Sequence, residues 1–199
     1  MIGTTFFGAV ALLAFISSYI SLLTLRPFAV AVGLVDKVGV LKQHGDTVPM
    51  IGGLAILVGY CCVLAAHPIL LNANIPFMIC GALIVVTGTL DDRFLLSPLL
   101  RLSVHVAVAL IAIFSGGLIV NNLGSPFMTG VIELRELAIP FALLVFVGGI
   151  NAWNMIDGID GLASVLAFIA LGFLLATAGS SGPALQASLL ALLCSIGAF

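Results

Sequence analysis

The stretch IGGLAILVGYCCVLAAHPILLNANIPFMICGALIVVTGTL, residues 51–90, contains forty consecutive positions without a formal charge. A transmembrane helix needs about 20 mostly apolar residues, so this stretch is too long for one helix and long enough for two. The interruption HPILLNANIP at residues 67–76 contains two prolines and two asparagines, which predicts the break between them. We therefore predict one helix over about 51–66 and a shorter one over about 77–90.

The rest of the chain has the same apolar character. Hydrophobic residues make up 62% of the 199 residues, charged residues make up 7%, and the mean hydropathy is +1.36. Because soluble domains carry roughly 25% charged residues, this composition predicts an all-α, polytopic transmembrane helical bundle. The uncharged runs predict seven helices in this chain, the other five lying at about 3–25, 99–120, 137–155, 162–178 and from 184 onward.

The two ends of the chain are interpreted as parts of membrane helices. No Lys or Arg precedes Arg26, and the first apolar run is longer than the apolar region of a usual signal peptide. At the other end, the chain stops at Phe199 inside the seventh predicted helix, without a polar tail. We expect one integral-membrane domain over residues 1–199 that is truncated within helix seven.

The charged residues are distributed unevenly between the two sides that alternate loops would face. Five of the six basic residues fall on one side and only Arg135 falls on the other, so the positive-inside tendency predicts a cytoplasmic first side and a periplasmic N-terminus. Six of the eight acidic residues share the cytoplasmic side, where the topology tendency does not draw acids. They are Asp36, Asp46, Asp91, Asp92, Asp157 and Asp160.

Two adjacent carboxylates, Asp91 and Asp92, stand at the cytoplasmic end of the third predicted helix. At a bilayer boundary they repel each other and lose hydration unless a cation or hydrogen-bond donors offset both charges. A solvated helix end beside Arg93 is the alternative, but an anion pair at a helix C-terminus opposes the helix dipole. The pair therefore favours a functional role.

The segment NAWNMIDGIDGLAS, residues 151–164, holds the second polar cluster. Asn151, Asn154 and Asp157 are spaced i, i+3 and i+6, which places them within about a third of a helix circumference. The glycines that follow break or bend the backbone, which lets Asp160 join the cluster or cap the next helix. Oxygen ligands of this kind suit Mg²⁺, although an Asn/Asp-rich turn between helices is the alternative.

The first cytoplasmic loop carries a weaker signal. Its lysines and histidine could contact phosphate, and the Gly-Gly pair of PMIGG at 49–53 allows a close backbone approach to a ligand. Since basic residues would stand there for topology in any case, composition leaves the function of the loop open. Its candidate residues are Asp36, Lys37, Lys42 and His44.

Arg101 and His105 lie one helical turn apart on the fourth predicted helix. Arg101 either binds phosphate or extends its charge to the membrane interface. His105 lies deeper in the helix, and the residues alone leave a structural and a catalytic role equally open.

Three segments together resemble the polyprenyl-phosphate N-acetylhexosamine-1-phosphate transferase family, glycosyltransferase family 4. The resemblance is greatest to its enterobacterial WecA branch, which uses UDP-N-acetylglucosamine. The segments follow the order and spacing of the family, each at a cytoplasmic helix end. They are VGLVDK…KQHGDTVPMIGG at 32–53, GTLDDRFLLSPLLR at 88–101 and NAWNMIDGIDGLAS at 151–164.

The resemblance implies that undecaprenyl phosphate attacks the β-phosphate of UDP-GlcNAc or a related UDP-HexNAc, with release of UMP. It implies dependence on Mg²⁺, with Mn²⁺ as an open substitute, and an active site on the cytoplasmic face of the bacterial inner membrane. The reaction would be the first membrane step toward a surface polysaccharide such as O-antigen, enterobacterial common antigen or teichoic acid. The lipid bilayer is an expected partner, a homodimer is open, and no nucleic acid is expected.

Carried over by position, the resemblance implies a catalytic role for Asp91, Asp92, Asp157 and Asp160, of which the first three would hold the metal. It implies substrate binding by Asp36, Lys37, Lys42, His44, Asn151, Asn154 and Arg101. Direct attack and a covalent Asp intermediate both remain open. The family commonly has Gln at the position of His105, and its later cytoplasmic motifs are expected beyond Phe199, which leaves the activity of this chain by itself open.

An ion-coupled membrane transporter is the alternative class, because intramembrane acids also mark ion pathways. A carrier would be expected to place ionisable groups near the middle of the bilayer. In this sequence the acids cluster at one interface, which favours chemistry on a soluble substrate at that side.

Overall fold

The computed structural model describes residues 4–35, 49–126, 130–156, 161–178 and 182–198. Within these residues the chain forms seven α-helices, a 3₁₀ turn (Arg135–Leu137) and no β-strand, which confirms the predicted all-α fold. The helices are α1 (Thr4–Val32), α2 (Gly52–Ala66), α3 (Pro68–Phe94), α4 (Pro98–Phe114), α5 (Ala138–Ile156), α6 (Leu162–Thr177) and α7 (Pro183–Gly197).

Among the described residues, three helical segments are long and apolar enough to cross a membrane: Thr5–Val32, Pro68–Phe94 and Arg135–Ile156. The other four helices are apolar and 15 to 17 residues long. Large apolar side chains such as Leu144 and Phe173 are about 70% exposed, as expected for a lipid-facing surface. The chain is therefore a membrane protein, and the periplasmic position of its N-terminus stays a prediction.

The chain divides into two compact units. The first comprises Met1–Ile75, Gly88–Leu95 and Ser164–Phe199, and the second comprises Pro76–Thr87 and Leu96–Ala163. Within the first unit α1, α2 and α7 pack against one another, and within the second α4 packs against α5.

The contact between α1, α2 and α7 is built from small residues, and we call it the small-residue contact. A Cβ atom added at Gly59 of α2 would overlap Ser18 Oγ, and it would lie 2.9 Å from Ser195 Oγ and 3.0 Å from the carbonyl oxygen of Ala14. Ser18 Oγ donates a hydrogen bond to the carbonyl oxygen of Ala55 at 3.2 Å. Small residues let membrane helices approach closely, and here they leave no space for even one extra carbon.

Helix α1 ends later than predicted. The prediction stopped it at the first basic residue, whereas the helix continues to Val32 and closes in a Schellman turn. Gly33 adopts φ +72°, and the N–H groups of Gly33 and Leu34 donate to the carbonyl oxygens of Val30 and Ala29 at 3.2 and 2.9 Å. Arg26 ends the first uncharged run, but the helix itself ends at Gly33, because a glycine can adopt the backbone conformation that closes the helix.

The predicted break between α2 and α3 is confirmed at His67, but its predicted extent over 67–76 is wrong, because residues 68–76 already belong to α3. The amide of Asn74 is buried, and both its nitrogen and its oxygen have a hydrogen-bond partner. Its Nδ2 donates to the carbonyl oxygen of Leu70 at 2.8 Å, and its Oδ1 accepts from the Tyr60 hydroxyl at 3.1 Å. Because the polar group is satisfied, an asparagine that looks like a helix breaker is tolerated inside α3.

Helix α4 is shorter than the predicted helix of 99–120, because it ends at Phe114. Gly117 adopts φ +67°, and the segment beyond it continues in irregular structure that includes an antiparallel bridge between Asn122 and Glu133. The apolar residues after Phe114 are therefore outside the helix, since the glycine ends it first. The observed bounds of α2, α5, α6 and the start of α7 confirm their predictions to within one residue.

Candidate active site

Polar side chains from α4 and α5 line one cavity of the second unit, which we call the polar cavity. Its volume is about 230 Å³. It lies at the first two turns of α4 and the last two turns of α5, where spacings of i, i+4 and i, i+3 put each polar pair on one helix face. The lining residues are Pro98, Arg101, His105, Asn151, Asn154 and Met155.

The start of α4 is set by local chemistry. Ser97 is the N-cap, and its Oγ accepts a hydrogen bond from the backbone N–H of Leu100 at 3.3 Å, while Pro98 occupies the first helical turn. This start places Arg101 in the second turn beside the positive end of the helix dipole. The first turns of α4 therefore present positive charge to the polar cavity.

One turn deeper, apolar side chains close the contact between α4 and α5. Buried Cys80, Val108 and Ala112 form a cluster with Phe146 and Ile150, which are partly buried. The Cys80 thiol donates to the carbonyl oxygen of Val108 at 3.5 Å. The polar cavity thus has an apolar floor, so its polar atoms are confined to one end of the two helices.

Inside the polar cavity, Asn151 joins the two helices. Its Nδ2 lies 2.7 Å from the carbonyl oxygen of Val147 on its own helix and 3.3 Å from His105 Nδ1 on α4. His105 is 9% exposed and Asn151 is partly buried, whereas Asn154 is exposed at the rim. The structure therefore brings together Arg101, Asn151 and Asn154, three of the residues predicted to bind substrate.

The acidic pair lies in the first unit, in the last turn of α3, which confirms its predicted place at a helix end. Asp91 is half-buried and Asp92 is exposed. Neighbouring residues leave a helix about 100° apart, so Asp91 and Asp92 start from different faces of α3. The helix stops at Leu95, which adopts φ +52° and donates its N–H to the carbonyl oxygen of Asp91 at 2.8 Å.

The end of α3 adjoins the ends of the first loop within the same unit. Val35 and Pro49, which flank residues 36–48, form an antiparallel bridge. The guanidinium of Arg93 lies over the turn at Gly33, where an added Cβ would be 3.8 Å from Arg93 Cζ. The two ends of the loop are thus held together beside the helix end that carries the acidic pair.

Six of the predicted site residues lie outside the described residues, namely Asp36, Lys37, Lys42, His44, Asp157 and Asp160. Across the described ranges, no group of three or more His, Cys, Asp and Glu side chains is close enough to hold a metal ion. Two of the three predicted metal ligands, Asp91 and Asp92, are described. Their carboxylate oxygens fit Mg²⁺, which proteins commonly hold with one or two carboxylates together with substrate phosphates.

Two residues acquire a place that sequence reasoning did not assign to them. His105 contacts Asn151. The spacing of His105 from Arg101 predicts that these two residues share a face of α4, but it does not predict which helix packs against that face. Arg93 lies over Gly33, and no local pattern signals this contact because sixty residues separate the two.

Comparison with known proteins agrees with the resemblance in the three motifs. The family model of glycosyl transferase family 4 matches residues 74–199. The chain is 37% identical over 181 residues to the probable undecaprenyl-phosphate N-acetylglucosaminyl 1-phosphate transferase of Bacillus subtilis (strain 168), covering 88% of this chain and 50% of that protein. It is 34% identical over 178 residues to the undecaprenyl-phosphate alpha-N-acetylglucosaminyl 1-phosphate transferase of Yersinia pestis, covering 86% and 48%. The chain spans about half the length of these curated relatives.

Proposed function

Because the chain belongs to glycosyl transferase family 4, we propose that it takes part in the transfer of GlcNAc-1-phosphate from UDP-GlcNAc to undecaprenyl phosphate. A phosphate oxygen of the lipid forms a bond to the β-phosphorus, and the bond from that phosphorus to the oxygen of UMP breaks. The products are undecaprenyl-diphosphate-GlcNAc and UMP. The names of the relatives support GlcNAc-1-phosphate as the group transferred and undecaprenyl phosphate as its acceptor.

The observation that carries the proposal is the polar cavity. In a chain with only 7% charged residues, an arginine, a histidine and two amides line one open volume at a helix contact, where a polar ligand can reach them. The guanidinium of Arg101 suits a phosphate oxygen, and the amides of Asn151 and Asn154 suit the neutral polar groups of a nucleotide sugar.

The acidic residues are assigned to metal binding and proton transfer. We assign Asp91, Asp92 and Asp157 to a divalent metal and, with Asp160, to proton transfer at the lipid phosphate. Enzymes of the family generally depend on a divalent metal, and bound Mg²⁺, or Mn²⁺ in its place, would neutralise the diphosphate. Asp36, Lys37, Lys42 and His44 are assigned to substrate binding, supported by the paired loop ends beside α3.

The reaction is assigned to the cytoplasmic face of the bacterial inner membrane. Five of the six basic residues and six of the eight acids fall on that side of the predicted topology, where the nucleotide sugar is available. Family membership favours this transferase over the ion-coupled transporter. The resulting lipid-linked sugar would enter a surface polysaccharide pathway, and a homodimer stays open.

The test uses the full-length gene product in membranes supplied with UDP-GlcNAc, undecaprenyl phosphate and Mg²⁺. We expect UMP release that requires all three additions and falls at least about 100-fold in Asp91→Asn and Asp157→Asn. Glu136→Gln is the matched control, because it makes the same change at an exposed acid before α5. No UMP release, or release that both aspartate variants leave unchanged, would overturn the proposal.

A further inference from the structure

The amide of Asn151 has a defined orientation. A backbone carbonyl oxygen can only accept hydrogen bonds, so the Asn151 atom that lies 2.7 Å from the Val147 carbonyl must be the amide nitrogen. A flipped amide would set two acceptors against each other at that distance. The neighbouring backbone therefore decides which side of the amide is nitrogen.

This orientation fixes the tautomer of His105. The same Asn151 Nδ2 lies 3.3 Å from His105 Nδ1, and a nitrogen that already carries two hydrogens can only donate. His105 Nδ1 must therefore accept, which places the ring proton on Nε2 and leaves the imidazole neutral. Each N–H group of the Asn151 amide then has an acceptor, one being the Val147 carbonyl oxygen on α5 and the other His105 Nδ1 on α4.

From this geometry we infer that His105 is a positioning residue, which holds the Asn151 amide so that Oδ1 is the atom available to the polar cavity. Without His105, only the bond to Val147 on its own helix would hold the amide. The inference rests on the proposed function for the identity of the ligand.

The orientation specifies what the ligand must bring. Since Asn151 Oδ1 accepts, its partner is an N–H group, a hydroxyl group or a metal ion, and the oxygens of a fully ionised phosphate cannot serve. UDP-GlcNAc carries several N–H and hydroxyl donors on its base, ribose and sugar, whereas undecaprenyl phosphate carries at most the one proton that it gives up before attack. The pair His105 and Asn151 is thus expected to act on the nucleotide sugar and not on the lipid.

The test measures the Kd of UDP-GlcNAc and, separately, the KM of each substrate, on the purified full-length gene product. His105→Leu is expected to raise the Kd of UDP-GlcNAc about fivefold to tenfold, which corresponds to one hydrogen bond, with the KM of undecaprenyl phosphate unchanged. His105→Asn keeps an acceptor, because its Oδ1 takes the position of the imidazole Nδ1, and should stay within about twofold of the wild-type Kd. Ser103→Ala is the control on α4, because it removes an exposed hydroxyl that bonds only locally, to the Leu100 carbonyl at 2.7 Å.

A double-mutant cycle separates positioning from a merely structural role. If His105 acts through Asn151, then His105→Leu has no further effect on the Kd in an Asn151→Ala background. An equal rise in both backgrounds, or a His105→Asn variant as impaired as His105→Leu, would overturn the inference. If His105→Leu does not accumulate, His105→Phe, which keeps a ring but has no acceptor, replaces it in the cycle.

Failure of the proposed function has a different signature. Binding of UDP-GlcNAc without UMP release would overturn the proposed transferase function. The Kd values would still test whether His105 positions Asn151. An absence of UDP-GlcNAc binding in the wild-type protein would overturn both.

Discussion

The small-residue contact and the polar cavity both place polar atoms between apolar helices. The space around those atoms is filled in the small-residue contact and open in the polar cavity. In the small-residue contact, Gly59 and its serine neighbours fill the volume completely, and Ser18 bonds to the backbone of α2. In the polar cavity, long side chains at the same kind of helix contact leave about 230 Å³ open.

The difference shows what decides the function of a polar residue inside a membrane protein. A hydroxyl enclosed by neighbouring backbone stabilises one helix arrangement and can meet nothing else. An amide or guanidinium that lines an open volume keeps atoms available to a ligand. Variants of the first region should therefore change stability, and variants of the second should change substrate affinity.

Among variants of these two regions, the largest effect is expected for Arg101→Gln in the polar cavity. Hydrogen bonds to charged groups contribute about 1.5–3 kcal/mol, so the KM of UDP-GlcNAc should rise about 10- to 100-fold. The loss of binding free energy should exceed any change in the free energy of unfolding that SDS titration in mixed micelles measures. The control is Arg135→Gln, the same change at an exposed arginine, and an equal rise in its KM would break the comparison.

A smaller effect, and of the opposite kind, is expected for Gly59→Ala in the small-residue contact. The added carbon meets Ser18 Oγ and the Ala14 carbonyl, so overpacking should lower the free energy of unfolding by about 1–3 kcal/mol. SDS titration measures this loss, while the KM of UDP-GlcNAc should not change. Gly172→Ala on α6 is the control, because among the described residues nothing beyond its chain neighbours and the adjacent backbone of its own helix lies within 4 Å of the added Cβ. Equal losses would contradict tight packing at Gly59.

Tyr60→Phe tests an enclosed hydrogen bond of the first unit. Removing the hydroxyl leaves the buried Oδ1 of Asn74 without its 3.1 Å donor, which should cost about 0.5–1.5 kcal/mol of unfolding free energy. Tyr19→Phe removes an exposed hydroxyl from α1 and should cost nothing measurable in the same SDS titration. A changed KM of UDP-GlcNAc in Tyr60→Phe would contradict the idea that enclosed polar groups affect stability and not substrate affinity.

The smallest effect is expected for Ser195→Ala. Among the described residues, Ser195 Oγ is the one fully buried polar side-chain atom that lacks a hydrogen-bond partner, so its removal should change the free energy of unfolding by less than about 0.5 kcal/mol or increase it slightly. Ser18→Ala removes a hydroxyl that does have a partner and should cost about 0.6 kcal/mol. A larger loss in Ser195→Ala than in Ser18→Ala would contradict this ranking.

Much of the candidate site was predictable because it depends on local spacing. Positions i and i+3, or i and i+4, share a helix face whatever surrounds the helix, so the pairs Arg101 with His105 and Asn151 with Asn154 could be placed from the sequence. Their meeting across one cavity could not. It depends on the contact between α4 and α5, which no local pattern specifies.

The amino-acid sequence by itself determined that this is an apolar helical membrane protein and where most of its helices lie. Hydropathy depends on composition over a window, and the chain carries that information at every position. The continuity of α3 through Asn74 and the partner of His105 were decided only by tertiary structure. Each depends on a hydrogen bond to a residue of another helix, whose energy exists only once the helices pack.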